Sequence, residues 1–184
     1  MIMILSGISL SNIIIDITAL AQSVQQEDNI INFLTYENPS VGIIMQYPSD
    51  WQVDEGELFD DAVVKFTSSL QNSTDNFREY LELDVSPAGL ETAEGLANQS
   101  INLLRYMLTD YNLLQSDSTT IANTDGYKVS YTYSDGQFEY RVMQDWIIKD
   151  DKSLRFTYVS EAPQFLDYLS IVERMIDSFK IATR

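Results

Sequence analysis

The chain has 184 residues, 28 acidic against 11 basic, a formal net charge of −17, and neither Cys nor His. That pair of absences excludes disulfides, thiolate nucleophiles, Cys- or His-ligated metals and every Ser–His–Asp or Cys–His mechanism, leaving carboxylates, Tyr, Lys or an oxygen-bound metal for any chemistry. So anionic a surface repels phosphate backbones, which excludes nucleic acid as an expected partner and favours a cationic one.

Residues 1–21, MIMILSGISLSNIIIDITALA, are rich in Ile and Leu and end in Ala19-Leu20-Ala21. Small side chains at those two alanine positions are what a signal peptidase requires. Asp16 interrupts the apolar run and no Lys or Arg precedes it. The expectation is an exported chain: residues 1–21 a signal peptide or N-terminal anchor, 22–32 a polar linker, and 33–184 one folded domain. Two glycosylation sequons, Asn72-Ser73-Thr74 and Asn98-Gln99-Ser100, are compatible with an external location but recur by chance.

After a turn at Asn38-Pro39-Ser40, Val41, Ile43, Met45 and Tyr47 alternate as on a strand. Ala62–Thr67 and Tyr80–Val85 read as strands, with Leu81, Leu83 and Val85 inward and Glu82 and Asp84 outward. Residues 90–108 change to helical spacing, in the stripe Leu90, Ala93, Leu96, Ala97, Ile101, Leu104 and Leu108. Glu91 and Glu94 at its start and Arg105 at its end suit the helix dipole. Residues 112–118 read as a strand. Tyr127, Val129, Tyr131 and Tyr133 then share one face of a longer strand, and Asp135-Gly136 predicts a tight hairpin. The return strand puts Phe138, Tyr140, Val142, Trp146 and Ile148 on one face. Asp150-Asp151 makes a second hairpin into Leu154, Phe156 and Tyr158. Pro163 opens a final helix with Phe165, Leu169, Val172, Met175 or Ile176, and Phe179 at three- to four-residue spacing. The fold class is α+β, a central antiparallel sheet flanked by helices.

Three segments carry a resemblance. FLTYENPSVGIIMQYPSDW (33–51) has an aromatic strand, an Asn-Pro turn and a strand ending in Tyr-Pro-Ser-x-Trp; TTIANTDGYKVSYTY (119–133) precedes the long hairpin; DYLSIVERMIDSFKI (167–181) ends in Met-x-x-Ser-Phe. With the element order, they make residues 33–181 resemble the PsbP-like proteins. The resemblance implies the Mog1/PsbP fold, an antiparallel sheet sandwiched between helices. It also implies a non-enzymatic role, since family members are typically extrinsic subunits or assembly factors of membrane complexes. The photosynthetic member aids calcium and chloride retention. This chain lacks every His and most of the basic residues used there for docking, so neither a photosystem role nor any named residue carries over.

Several candidate sites stand beside simpler accounts. The densest acidic run, Asp54-Glu55-Gly56-Glu57-Leu58-Phe59-Asp60-Asp61, offers Asp54, Glu57, Asp60 and Asp61 as oxygens for Ca2+. Its spacing does not match an EF-hand, and a solvated acidic loop is the simpler account. Asn123-Thr124-Asp125-Gly126 also holds oxygens, but Asp-Gly is first a turn former. The aromatic strand faces read as core packed under helices rather than as a sugar platform. The opposite faces carry Lys128, Ser130, Thr132, Glu139, Arg141, Asp145, Arg155 and Thr157. Such mixed charges can simply pair across the sheet. If the domain docks on a partner, Lys128, Arg141 and Arg155 are the residues expected to do it.

The reading that results is a non-catalytic binding or assembly module with no required cofactor. It is expected to be monomeric, extracytoplasmic, and either secreted or peripherally associated with a membrane protein complex. The alternative is a stand-alone calcium or small-ligand binder. Third comes a carboxylate-dependent hydrolase, which needs a cleft with two acids of unequal pKa.

Overall fold

The computed structural model describes residues 31–56 and 62–181. The expected leader at 1–21 and most of the linker lie outside the described residues. Among the described residues, ten strands and two helices follow in chain order: β1 (Phe33–Asn38), β2 (Ile43–Pro48), β3 (Gln52–Glu55), β4 (Ala62–Thr67), β5 (Tyr80–Pro87), α1 (Ala93–Met107), β6 (Thr109–Ile121), β7 (Thr124–Ser134), β8 (Glu139–Lys149), β9 (Lys152–Glu161), α2 (Phe165–Asp177) and β10 (Lys180–Ile181). Seven strands pair antiparallel in the order β3-β4-β5-β9-β8-β7-β6, and β1, β2 and β10 make a small second sheet. The expected α+β class, an antiparallel sheet with helices packed on it, is the one observed. Among the described residues no helix is long and apolar enough to cross a membrane.

Two cores flank the large sheet. Ala97 and Ile101 of α1 bury against Val129, Tyr131, Tyr140, Val142, Trp146 and Val159. On the other face Leu81, Leu83, Ile147, Leu154, Phe156 and Tyr158 meet Val172, Met175 and Ile176 of α2 and Ile43 and Met45 of the small sheet. The aromatic residues therefore divide between the faces: Tyr131, Tyr140 and Trp146 under α1, Phe156 and Tyr158 under α2.

Helix α1 begins later than its periodicity predicts. The Thr92 side chain caps it, its Oγ1 accepting from Gly95 N–H at 3.0 Å. Leu90 falls outside the helix, fully exposed. Its ends follow the dipole as expected, Glu94 in the first turn and Arg105 in the last.

The hairpins differ in how far their turn residues announce them. Asp150 and Asp151 both take positive φ, 51° and 59°, in the expected two-residue turn between Lys149 and Lys152. The loop after Ser134 is longer than expected, because Ser134 pairs with Glu139 and four residues intervene. Asp135 holds it: its Oδ1 accepts from the N–H groups of Gln137 and Phe138, both at 2.8 Å. The β6–β7 turn is at Ala122-Asn123 (φ 49° and 60°), not at Asp125-Gly126. Gly126 sits inside β7 because a Cβ there would meet the Trp146 carbonyl oxygen at 2.5 Å. It serves a close strand approach, not a turn.

Candidate functional site

A cluster of polar and charged side chains lies where the last turns of α2 border β6, β7 and β8. Register places Lys128 of β7 directly opposite Asp145 of β8, both on the α2 face. Lys128 Nζ lies 3.5 Å from Asp145 Oδ2 and 3.5 Å from Met143 Sδ. Asp145 is 2% exposed, and its second oxygen, Oδ1, has no hydrogen-bond partner in the protein. Burial, helped by the nearby carboxylates of Glu173 and Asp177, pushes its carboxyl up to about 6 despite the attraction of Lys128.

Glu173 and Asp177 stand one turn apart on α2 and are exposed. With Thr119 and Thr120 of β6, and with Ile121 and Ile176 as apolar walls, they line a half-open cavity of about 210 Å³ beside Lys128 and Asp145. Next to it, sharing Thr119 and Thr120, an open groove of about 390 Å³ runs past Ser118, Asp125 and Gly126. Three carboxylates against one ammonium leave the cavity anionic.

The three basic residues expected to form a docking surface are not brought together. Lys128 is in this cavity. Arg141 lies on the same sheet face but stacks on the Phe165 ring at the start of α2, 4.1 Å from the centroid. Arg155 lies on the α1 face, donating from Nε to Asp84 Oδ2 at 2.8 Å, with its guanidinium 5.2 Å from the Trp146 ring centroid. The reason is parity. A two-residue hairpin pairs Trp146 with Arg155, so even-numbered residues of β8 share a face with odd-numbered residues of β9. Asp84, expected to face outward, is buried for the same reason: it pairs with Arg155 in the β5–β9 register.

Asp54 is exposed on β3, opposite Lys65. Glu57, Asp60 and Asp61, its expected partners in a calcium site, lie outside the described residues. Among the described residues no three acidic side chains come close enough together to hold a metal ion. In the α2 cavity, moreover, an ammonium already occupies one edge of Asp145. The donor set there does not fit Ca2+, which takes six to eight oxygens. A hydrolase needs two acids facing one bond, and Asp145 and Glu173 do line the same cavity. The cavity itself nevertheless falls below the range of about 300–1,000 Å³ typical of small-molecule clefts.

Glu173, Asp177, Thr119 and Thr120 were not singled out from the sequence. The available signal was the i, i+4 spacing of Glu173 and Asp177 beside the buried positions Val172 and Ile176.

A model of the PsbP-like protein family matches residues 1–181. Among solved structures, that of LpqN, involved in cell envelope biogenesis of Mycobacterium tuberculosis, aligns with a TM-score of 0.64 at 12% identity, over 85% of this chain and 94% of that one. The cyanobacterial PsbP of Synechocystis aligns at 0.59 and 14%, over 84% and 95%. The Ran-binding protein Mog1p of Saccharomyces cerevisiae aligns at 0.58 and 12%, over 82% and 96%. At these identities the likeness is one of fold. No curated protein matches the sequence.

Proposed function

The chain belongs to the PsbP-like family, and on that premise we propose that it is a non-catalytic binding module whose partner is a protein of an extracytoplasmic membrane complex. The observation that carries the proposal is the anionic cavity beneath α2, opening into a groove along β6 and β7. It offers fixed hydrogen-bond acceptors to a guest, and its size suits one side chain better than a metabolite. The missing His and Cys support the absence of catalysis, and the Ala-x-Ala ending of residues 1–21 supports export. The solved relatives add two proteins whose descriptions name an envelope process and a protein ligand.

The test is a cross-linked pull-down of the native protein from gently solubilised membranes, with mass spectrometry of the partners and of the bait's N-terminus. The expected result is one constant membrane-complex partner and bait beginning near Gln22. Bait found only in the cytosol with residues 1–21 intact overturns the proposal. Bait recovered alone, with a melting temperature that rises with calcium until Asp54, Glu57, Asp60 and Asp61 are neutralised, replaces it with a stand-alone calcium binder.

A further inference from the structure

We infer that the cavity between α2 and the β6–β7–β8 corner is a receptor for a single arginine side chain of the partner protein. The inference rests on the binding-module reading above and names the chemistry that reading leaves open.

Asp145 gives the first reason. An ionisable carboxyl 2% exposed ordinarily has every oxygen satisfied, yet Oδ1 has no partner and Lys128 approaches only Oδ2. Leaving an acceptor so placed costs free energy that a cationic donor entering the cavity would recover. The second reason is the charge set: Asp145, Glu173 and Asp177 against Lys128, with the Thr119 and Thr120 side chains on the rim. A planar guanidinium carries several N–H donors for the carboxylates of Asp145, Glu173 and Asp177, which line the one cavity. Size is the third. About 210 Å³ corresponds to roughly seven waters, enough for a guanidinium and part of its stem but small for a free metabolite. Finally, the cavity joins an open groove with Asp125 on its border, which leaves room for the chain that carries the arginine. The net charge of −17 attracts a basic segment from a distance.

Amide chemical shifts of the 15N-labelled protein, followed during titration with N-acetyl-arginine amide, test the assignment. Saturable shifts are expected at Thr119, Thr120, Asp145, Glu173 and Asp177, with the neutral isostere N-acetyl-citrulline amide inert. Glu173→Gln/Asp177→Asn should weaken binding about tenfold or more, and because both side chains are exposed the variant should keep the wild-type spectrum elsewhere. Absence of saturable shifts, equal shifts with the citrulline compound, or displacement of the arginine compound by CaCl2 at these same amides overturns the inference. The two levels fail separately. A partner captured equally well by the double variant overturns the arginine receptor and leaves the binding module standing. Arginine binding with no partner in any membrane preparation does the reverse.

Discussion

Each face of the large sheet holds a cross-strand pair of opposite charges, and the two pairs are built differently. Under α1, Arg155 donates to Asp84 at 2.8 Å while its guanidinium lies over Trp146. Under α2, Lys128 stands 3.5 Å from Asp145, and the second carboxyl oxygen has no partner. A closed, hydrogen-bonded pair offsets much of the cost of removing its charges from water. A loose one does not, and its surplus shows in the upward pull on Asp145. The first pair is arranged for the fold and the second for something that arrives later.

The largest effect should come from opening the closed pair. Arg155→Ala leaves Asp84 charged and poorly solvated and also removes the stacking on Trp146. Breaking a fully buried pair costs about 3–5 kcal/mol; with the Arg155 side chain 32% exposed, a loss of about 2–3 kcal/mol in urea unfolding is expected. Lys65, on the same side of the sheet, stands opposite Glu82 with its ammonium turned the other way, 3.7 Å from the Tyr80 ring centroid, and so does not contact the pair.

The same logic reverses the sign for Asp145. Its carboxyl holds a proton more tightly in the native state, at about 6, than in the unfolded chain, at about 3.9. The native state therefore binds more protons in that window, and Asp145 makes stability fall as pH rises through it. Lys128 across the strand and Glu173 and Asp177 on α2 are the charges facing it. Asp145→Asn should match the wild type near pH 4 and exceed it by about 1–3 kcal/mol at pH 7.5, read from paired urea titrations. Glu79, buried and accepting from Ser68 Oγ at 3.1 Å, is raised by burial too, so the variant should flatten only part of the wild-type slope. A variant less stable than wild type at pH 7.5 would mean that the Lys128 pair stabilises the fold as the Arg155 pair does.

The contrast between the faces was only half legible in the sequence. Period-two alternation gave the long strands and most buried residues, since β-branched and aromatic side chains on one face have no other reason to alternate. Pairing of Lys128 with Asp145 was within reach, because both belong to the face opposite Tyr131. What failed was parity across the second hairpin: grouping Arg155 with Arg141 ignores that the Asp150-Asp151 turn exchanges odd for even. The cavity was hidden for another reason. Its walls come from β6, β7, β8 and α2, and no local pattern says which helical turn lands over which strand pair.

Turn chemistry misled at one other point, and it supplies a smaller prediction. Ala122 holds φ 49° in the β6–β7 turn, a conformation that costs a residue with a Cβ about 1–2 kcal/mol. Ala122→Gly should therefore raise stability by about 0.5 kcal/mol net of glycine's greater freedom when unfolded, as the thermal midpoint will report. The turn borders the β6 rim, so the variant also gives a folded control in which the groove's backbone is relaxed while Asp145 is untouched.

The smallest expected change in stability is the most informative about the α2 face. Glu173 and Asp177 occupy the last two turns of α2, where the helix dipole disfavours negative charge, and both repel a carboxyl already buried beneath them. For folding alone these are poor positions for two acids, and a chain with a net charge of −17 does not need them for solubility. Glu173→Gln/Asp177→Asn should leave stability unchanged or raise it by up to about 0.5 kcal/mol. The same variant should lower the midpoint at which Asp145 titrates, followed by the 13C shift of its carboxyl. If the double variant instead unfolds more easily, the two acids serve the helix, and the unpaired Asp145 oxygen belongs to the fold rather than to a guest. If stability rises while the midpoint falls, the acids are kept at a folding cost. An arriving guanidinium, which turns three like charges from repulsive neighbours into shared acceptors, accounts for that cost.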